Sequence, residues 1–130
     1  MRIDNSISIA RGPDQVWAIL GDLAAAPRWV PGVASARMEG IRRLCVLEGG
    51  GEIVEEIADL SDEQRRYAYT QPVHPLGLER SEGTLAVHPN GDGGSRVVWD
   101  AEVVAPEEVL DLLRQGYAAA LQRLKEVAES

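Results

Sequence analysis

The sequence predicts an α+β fold in which one strand and two short helices precede a six-stranded antiparallel meander and a long C-terminal helix. Three observations predict this order. Strand-like segments are separated by clusters of glycine, proline, asparagine and aspartate. No helical pattern interrupts the last six of these segments, which favours antiparallel neighbours. Over residues 106–129, apolar residues recur every three or four positions, as on the buried face of an amphipathic helix.

The N-terminal segment predicts a strand followed by a helix. Ile3, Ile7 and Ile9 lie on one side of an alternating pattern, which is typical of a half-buried strand. Pro13 suits the first position of a helix, and Asp14 suits the positive end of the helix dipole. The apolar residues that follow recur at helical spacing until a glycine and an aspartate end the pattern.

The connection DLAAAPRWVPGV, residues 22–33, places a tryptophan between two prolines. Pro27 and Pro31 prevent a continuous helix, so the alanines before them can form only one or two turns. The prolines also restrict the backbone and reduce the entropy lost when Trp29 is held in place. We therefore expect Trp29 to be held rigidly rather than to be a loose surface aromatic.

Six strand-like segments follow, and a long helix ends the pattern. The strand segments are 34–40, 42–48, 52–60, 65–71, 79–88 and 95–104. The turn PNGDGG before the last of them favours a tight hairpin, because Asn-Gly and Asp-Gly tolerate positive φ. Pro106 ends the last strand and opens the helix, with Glu107 and Glu108 in its first turn. At ~1.5 Å per residue this helix is roughly 35 Å long.

Composition narrows the classes of protein and partner. A chain of 130 residues predicts one domain, residues 1–130. A net charge of −8 argues against a nucleic-acid-binding protein, which needs a basic face. The apolar runs are too short for membrane insertion, and the N-terminal segment does not resemble a signal peptide, so we expect a cytoplasmic protein. The single cysteine, Cys45, excludes an internal disulfide and predicts a small buried side chain. We expect no metal, no organic cofactor, and a monomer or homodimer.

Four stretches resemble one known superfamily. They are Pro13–Trp17, Trp29–Val33, Val54–Ile57 with the Leu-Ser-Asp at 60–62, and Gly93–Trp99. In this order and spacing they are similar to the START-like, or helix-grip, superfamily (SRPBCC). Its members include bacterial polyketide cyclase/dehydrase-like proteins, the birch-pollen-allergen fold and the plant abscisic-acid receptors. One departure is Glu56, where the family often has arginine, so the role of that arginine is not transferred.

The resemblance implies a cavity between the concave face of the sheet and the long helix, occupied by small apolar or amphipathic molecules. It also implies that the segment with Trp29 caps one end of this cavity, so that Trp29 is a rigid wall or lid residue. Strand alternation suggests which side chains face it, with Glu55 inward on the strength of the resemblance and Trp99 inward from a clear alternation. On the helix, Leu112 or Leu113 faces the sheet. The small residues at 116 and 118–120 leave space that bulky core side chains would otherwise fill. The expected ligand-binding residues are Trp29, Ile53, Glu55, Tyr67, Tyr69, Gln71, Ser81, Gly83, Trp99, Leu112, Gly116, Tyr117 and Ala120.

Most of these residues also have a purely structural interpretation. Glu55 is either a carboxylate paired with a neighbouring arginine or a pocket anchor and general acid–base. Tyr67 and Tyr69 either pack in the core or donate hydrogen bonds to a ligand. Trp99 and Tyr117 either pack or contact the ligand. The glycines at 49–51 form either a flexible hairpin or, as in the plant receptors, a mobile lid.

Three functions remain open at this stage. The first is binding or carriage of a small apolar or amphipathic molecule, of aromatic, polyketide or lipid-like character. The second is a polyketide cyclase/dehydratase in which Glu55, Tyr69 or His74, or else Tyr67, moves protons during ring closure and loss of water. His74 lies between two prolines. It is either a proton-transferring residue near the cavity mouth or a plain exposed loop residue. The third is a protein-interaction module, as in co-chaperone relatives of the fold.

Overall fold

Seven antiparallel strands form one sheet, and a long C-terminal helix lies across its inner face. The computed structural model describes all of residues 1–130. The elements in chain order are β1 (Arg2–Ile9), α1 (Pro13–Leu20), a 3₁₀ helix (Leu23–Arg28), β2 (Val33–Glu39), β3 (Arg42–Leu47), β4 (Glu52–Ser61), β5 (Arg66–Val73), β6 (Arg80–Pro89), β7 (Ser95–Val104) and α2 (Glu107–Glu129).

The sheet has the strand order β1-β7-β6-β5-β4-β3-β2. Strands β2 to β7 form a meander in which each strand pairs with the next along the chain, and β1 pairs with β7. This arrangement confirms the predicted helix-grip fold. Because β1 and β2 are the two edge strands, the helical segment that joins them spans the width of the sheet.

Local chemistry explains how α1 begins and ends. Pro13 occupies the first helical turn, where its missing N–H costs nothing, and Asp14 follows it. Gly21 closes the helix, and its backbone N–H donates to the Trp17 carbonyl at 2.7 Å. A side chain at Gly21 would collide with the Trp17 indole ring. Glycine is therefore needed here for space, and its small size lets the connection fold back against α1.

The connection around Trp29 differs slightly from the prediction. Pro27 does not end the helical turns but lies inside the 3₁₀ helix, which continues to Arg28. The 3₁₀ helix tolerates it because so short an element loses only one hydrogen-bond donor. The backbone N–H of Trp29 donates to the Ala26 carbonyl at 3.1 Å, and Trp29 itself is only 2% exposed.

A bulge in β5 positions one polar side chain of the site. Val54 pairs with Val73 and Glu56 pairs with Thr70, so Gln71 and Pro72 together lie opposite Glu55. Proline is accepted here because a bulge leaves one residue without a ladder hydrogen bond.

The core lies between the sheet and the helices. Its largest fully buried side chains include Ile9, Val16, Tyr67, Leu121 and Leu124. Leu121 and Leu124 come from the C-terminal half of α2, which contacts β1 and α1. None of the helices is both long enough and apolar enough to cross a membrane.

Candidate functional site

A cavity of about 180 Å³ lies between the inner face of the sheet, the 3₁₀ helix with the connection to β2, and the N-terminal half of α2. Exposed residues on its lining, Pro31, Leu112 and Gly116, show where it opens to solvent. The full lining is Ala26, Trp29, Val30, Pro31, Val33, Arg43, Cys45, Ile53, Glu55, Tyr67, Tyr69, Gln71, His74, Leu85, Trp99, Leu112, Leu113, Gly116, Tyr117 and Ala120.

Three aromatic side chains form one wall of the cavity. Trp29 and Trp99 meet edge to face, with ring centroids 6.2 Å apart at 74°. Trp99 also lies against Tyr117, with centroids 4.2 Å apart. Such contacts add to the stabilisation from buried area and fix the ring orientations. The Trp29 side chain is therefore held on the cavity wall.

A buried ion pair forms the polar part of the lining. Arg43 and Glu55 lie directly opposite each other on β3 and β4. The Arg43 Nε–H donates to Glu55 Oε1 at 2.7 Å, and the two side chains are only 6% and 9% exposed. The guanidinium also donates to the Leu23 carbonyl at 3.3 Å and to the Tyr67 hydroxyl at 3.5 Å. Burial alone would lower the pKa of Arg43, but attraction to Tyr67 and Glu55 outweighs it, so the net shift is upward.

The network continues from β4 to β6. The Gln71 side-chain amide donates to Glu55 Oε2 at 2.9 Å, and the Ser81 hydroxyl donates to Gln71 Oε1 at 2.6 Å. Both oxygens of Glu55 therefore accept a hydrogen bond from a protein side chain. Glu55 is therefore held in place by two donors, and Arg43 compensates its charge.

The hydroxyls of Tyr69 and Tyr117 lie beyond this network. Trp99 Nε1–H donates to the Tyr69 hydroxyl at 2.9 Å. The Tyr117 hydroxyl is buried and has no hydrogen-bond partner. The nearby Tyr69 and Ser81 side chains act to lower its pKa, against the larger effect of burial. Burial raises the pKa of both tyrosines, so both phenols keep their protons at neutral pH.

Two further titratable residues line the cavity. Burial lowers the pKa of His74, and the nearby Glu55 opposes this shift only in part. The backbone N–H of Leu76 donates to His74 Nδ1 at 3.1 Å, so the neutral ring carries its proton on Nε2. Burial raises the pKa of the Cys45 thiol to about 11, which keeps it protonated and unreactive.

Eleven of the thirteen residues expected to bind a ligand lie on the cavity wall, as does His74. Ser81 and Gly83 do not. The Ser81 hydroxyl is turned to Gln71, and the Tyr69 side chain covers Gly83 so closely that an added Cβ would lie 2.6 Å from the Tyr69 hydroxyl oxygen. Gly83 therefore provides space for Tyr69 instead of lining the cavity.

The sequence interpretation missed Arg43. Alternation from the buried Cys45 places Arg43 on the same inward face. Because position 42 is also an arginine, this pair is easily taken for a solvated stretch of the strand. Only the register of β3 against β4 shows that Arg43 faces Glu55. The paired-carboxylate interpretation of Glu55 is therefore the one that the geometry supports.

A larger depression of about 360 Å³ lies on the outer face of the sheet. Its lining includes Arg2, Glu82, Asp100 and Glu102, which are charged and solvated. No group of three or more histidine, cysteine, aspartate or glutamate side chains is arranged to hold a metal ion. The inner cavity is therefore the site with the character of a small-molecule pocket, since it is concave, mostly apolar and has few polar groups.

Solved structures with the same fold come from several bacteria. An uncharacterized protein from Bacillus thuringiensis is 23% identical, with a TM-score of 0.91 over 100% of both chains. A protein from Thermobifida fusca is 27% identical, with a TM-score of 0.81 over 98% of this chain and 92% of its own. A START superfamily protein from Mycobacterium smegmatis is 13% identical, with a TM-score of 0.85 over 98% of this chain and 97% of its own.

No curated protein matches the chain. One family model does, and it is described as polyketide cyclase/dehydrase and lipid transport. The match covers residues 1–129, which include every strand, both helices and all of the cavity lining. With the helix-grip fold and the cavity described above, this match shows that the chain belongs to the polyketide cyclase/dehydrase and lipid transport family.

Proposed function

We propose that this protein binds a small, largely apolar molecule in the cavity between the sheet and α2. The observation that carries the proposal is the cavity itself, which stays open although aromatic and aliphatic side chains surround it. Drug-sized ligands occupy pockets of roughly 300–1,000 Å³, whereas an apolar cavity of about 150 Å³ holds one benzene molecule. A cavity of about 180 Å³ therefore suits a single-ring ligand or a short aliphatic chain.

Small residues of α2 keep this space free. Ala120 is almost fully buried on the lining, and Gly116 lies at the mouth. A Cβ added at Gly116 would meet nothing within 4 Å. Glycine inside an exposed helix costs up to about 1 kcal/mol relative to alanine. Since no close packing requires it, Gly116 is best explained by the need for an open entrance.

The test is binding of ethylbenzene, measured by calorimetry, to the protein and to Gly116→Leu. The leucine occupies the mouth of the cavity, so we expect binding to weaken at least about tenfold, which corresponds to about 1.4 kcal/mol. The variant should unfold no more readily than the original protein, because leucine is a better helix former than glycine.

Ala118→Leu is the matched control, because Ala118 is exposed on α2 and does not line the cavity. We expect it to bind ethylbenzene as the unmodified protein does. Equal binding by all three proteins would place the ligand elsewhere and contradict the proposal. If no single-ring compound binds at all, the proposal is contradicted as well.

A cyclase/dehydratase activity is the second candidate, and His74 is the observation that favours it. Its Nε2–H is a hydrogen-bond donor on the cavity wall, which could polarise a substrate carbonyl. Of the other three acid–base candidates, Glu55 is engaged by two donors, and Tyr67 and Tyr69 keep their protons. The geometry therefore supports binding better than proton transfer, and the catalytic candidate requires turnover that depends on His74.

A further inference from the structure

The charges on the cavity wall cancel. Arg43 and Glu55 are the two charged side chains of the lining, and they are paired at 2.7 Å. Arg43 also donates to the Leu23 carbonyl and the Tyr67 hydroxyl, and Gln71 donates to the second oxygen of Glu55. Because each charge is compensated by the other, the lining offers no net charge to a charged ligand group.

A charged ligand would therefore enter without a counter-charge. Burying an unpaired ion in a mostly apolar site is strongly unfavourable. His74 does not change this balance, because burial lowers its pKa and leaves the imidazole neutral at pH 7. A ligand carboxylate at Arg43 would either lie beside the Glu55 carboxylate, with one guanidinium for two negative charges, or displace Glu55 and leave it buried without its partner.

Two hydroxyl groups of the lining have hydrogen bonds to donate. The Tyr117 side chain is 7% exposed, and its hydroxyl oxygen makes no hydrogen bond. The Tyr69 hydroxyl accepts from Trp99, and its own proton has no acceptor among the hydrogen bonds of the structure. A buried polar group without a partner is unfavourable, so a ligand oxygen placed at Tyr117 would remove that cost.

We propose that the cavity selects an uncharged single-ring alcohol, phenol or carbonyl compound whose oxygen accepts a hydrogen bond from the Tyr117 hydroxyl, and that it rejects the corresponding carboxylate. This inference rests on the proposed binding function and defines its ligand class. The aromatic wall of Trp29, Trp99 and Tyr117 contacts the ring, and the Arg43–Glu55 pair excludes charge.

The first test compares benzamide with benzoate, which have nearly the same shape but differ in charge. Calorimetry at pH 7.5 should detect benzamide binding and no benzoate binding. In Glu55→Gln, the Arg43 guanidinium loses its counter-charge while the side chain at position 55 keeps its size. We expect benzoate binding to appear, with the benzoate-to-benzamide affinity ratio rising at least about tenfold. Benzoate binding the unmodified protein as tightly as benzamide would overturn the inference.

The second test keeps the inference falsifiable if Glu55→Gln does not fold. It compares benzyl alcohol with ethylbenzene, its isostere without a hydroxyl, in the unmodified protein and in Tyr117→Phe. The alcohol-to-ethylbenzene affinity ratio should fall about five- to tenfold in the variant. Thr84→Val is the control for loss of a hydroxyl, because Thr84 lies on the outer face of the sheet, and it should leave the ratio unchanged.

The outcomes separate the two proposals. If ethylbenzene binds but Tyr117→Phe leaves the ratio unchanged, the ligand class is wrong and the binding function stands. If none of the four ring compounds binds, both are wrong. A ratio that falls equally in Tyr117→Phe and Thr84→Val would also overturn the inference, since the effect would not come from the cavity.

Discussion

The two halves of α2 pack against the sheet in different ways. In the C-terminal half, Leu121 and Leu124 are 2% and 0% exposed and belong to the same core as Val16 of α1. In the N-terminal half, Leu110 and Leu113 also belong to this core, but Leu112 is 55% exposed, Gly116 has no side chain, and the helix here covers a cavity. One helix therefore closes a core at one end and leaves space at the other.

The difference teaches what holds each end of the molecule. Close apolar packing stabilises the closed end, because each buried leucine is in contact on all sides. The open end cannot be stabilised in that way without filling the cavity. There, the Arg43–Glu55 pair and its partner Gln71 link β3, β4 and β5, and the prolines beside Trp29 restrict the connecting segment. The site is thus supported by polar links around a space that packing does not fill.

The largest expected effect concerns these polar links. Arg43→Met should lower the free energy of unfolding by about 3–5 kcal/mol, because it leaves the Glu55 carboxylate buried without its partner. The double variant Arg43→Met/Glu55→Leu should recover most of that loss. Urea denaturation of the three proteins measures both quantities. A loss under about 1 kcal/mol in the single variant would show that solvent reaches Glu55 and that the pair does not hold the open end.

The next effect concerns the closed end. Leu124→Ala should cost about 2–5 kcal/mol, as expected for a fully buried leucine whose removal leaves a void. Leu112→Ala, the same substitution in the other half of α2, should change stability by no more than about 0.5 kcal/mol. Denaturation curves of the pair test the comparison directly. Similar costs at the two positions would mean that Leu112 is packed as closely as Leu124, which would contradict the comparison.

The smallest effect is a pH dependence that comes from His74 on the cavity wall. The pKa of His74 in the folded protein lies below its ordinary value of 6.5, so the unfolded chain takes up the proton first as pH falls. The contribution of His74 to stability is therefore fully present above pH 6.5. It declines as the pH falls through 6.5, and it levels off below the pKa of the folded state.

His74→Asn isolates this contribution, because asparagine does not titrate and can still accept the Leu76 N–H. The difference in unfolding free energy between the two proteins should be constant above pH 6.5. Below it, the protein with His74 should lose stability relative to the asparagine variant. Thermal unfolding at several pH values provides the measurement. A difference that does not change with pH would mean that His74 is solvated like a surface residue.

Residues whose surroundings follow from local pattern could be placed from the sequence. Strand alternation places Trp99 on the inner face in this way, and the resemblance was needed to place Trp29 and Glu55. Alternation from Cys45 places Arg43 on the inward face of β3, but its pairing with Glu55 shows only in the register of β3 against β4. Gly83 was assigned to the correct face, but the sequence gives no sign that the Tyr69 ring would cover it.

The sequence by itself determined the order of the elements, the faces of most strands and the presence of small residues where α2 crosses the cavity. These features depend on spacing along the chain, which the sequence displays directly. Only the tertiary structure decided which polar groups neutralise each other and which stay unpartnered. Arg43 and Glu55 are paired because two strands meet in one register, and α2 places Tyr117 against Trp99 of β7, where its hydroxyl has no partner. Those relations set the charge balance of the cavity, and they arise only when distant segments pack together.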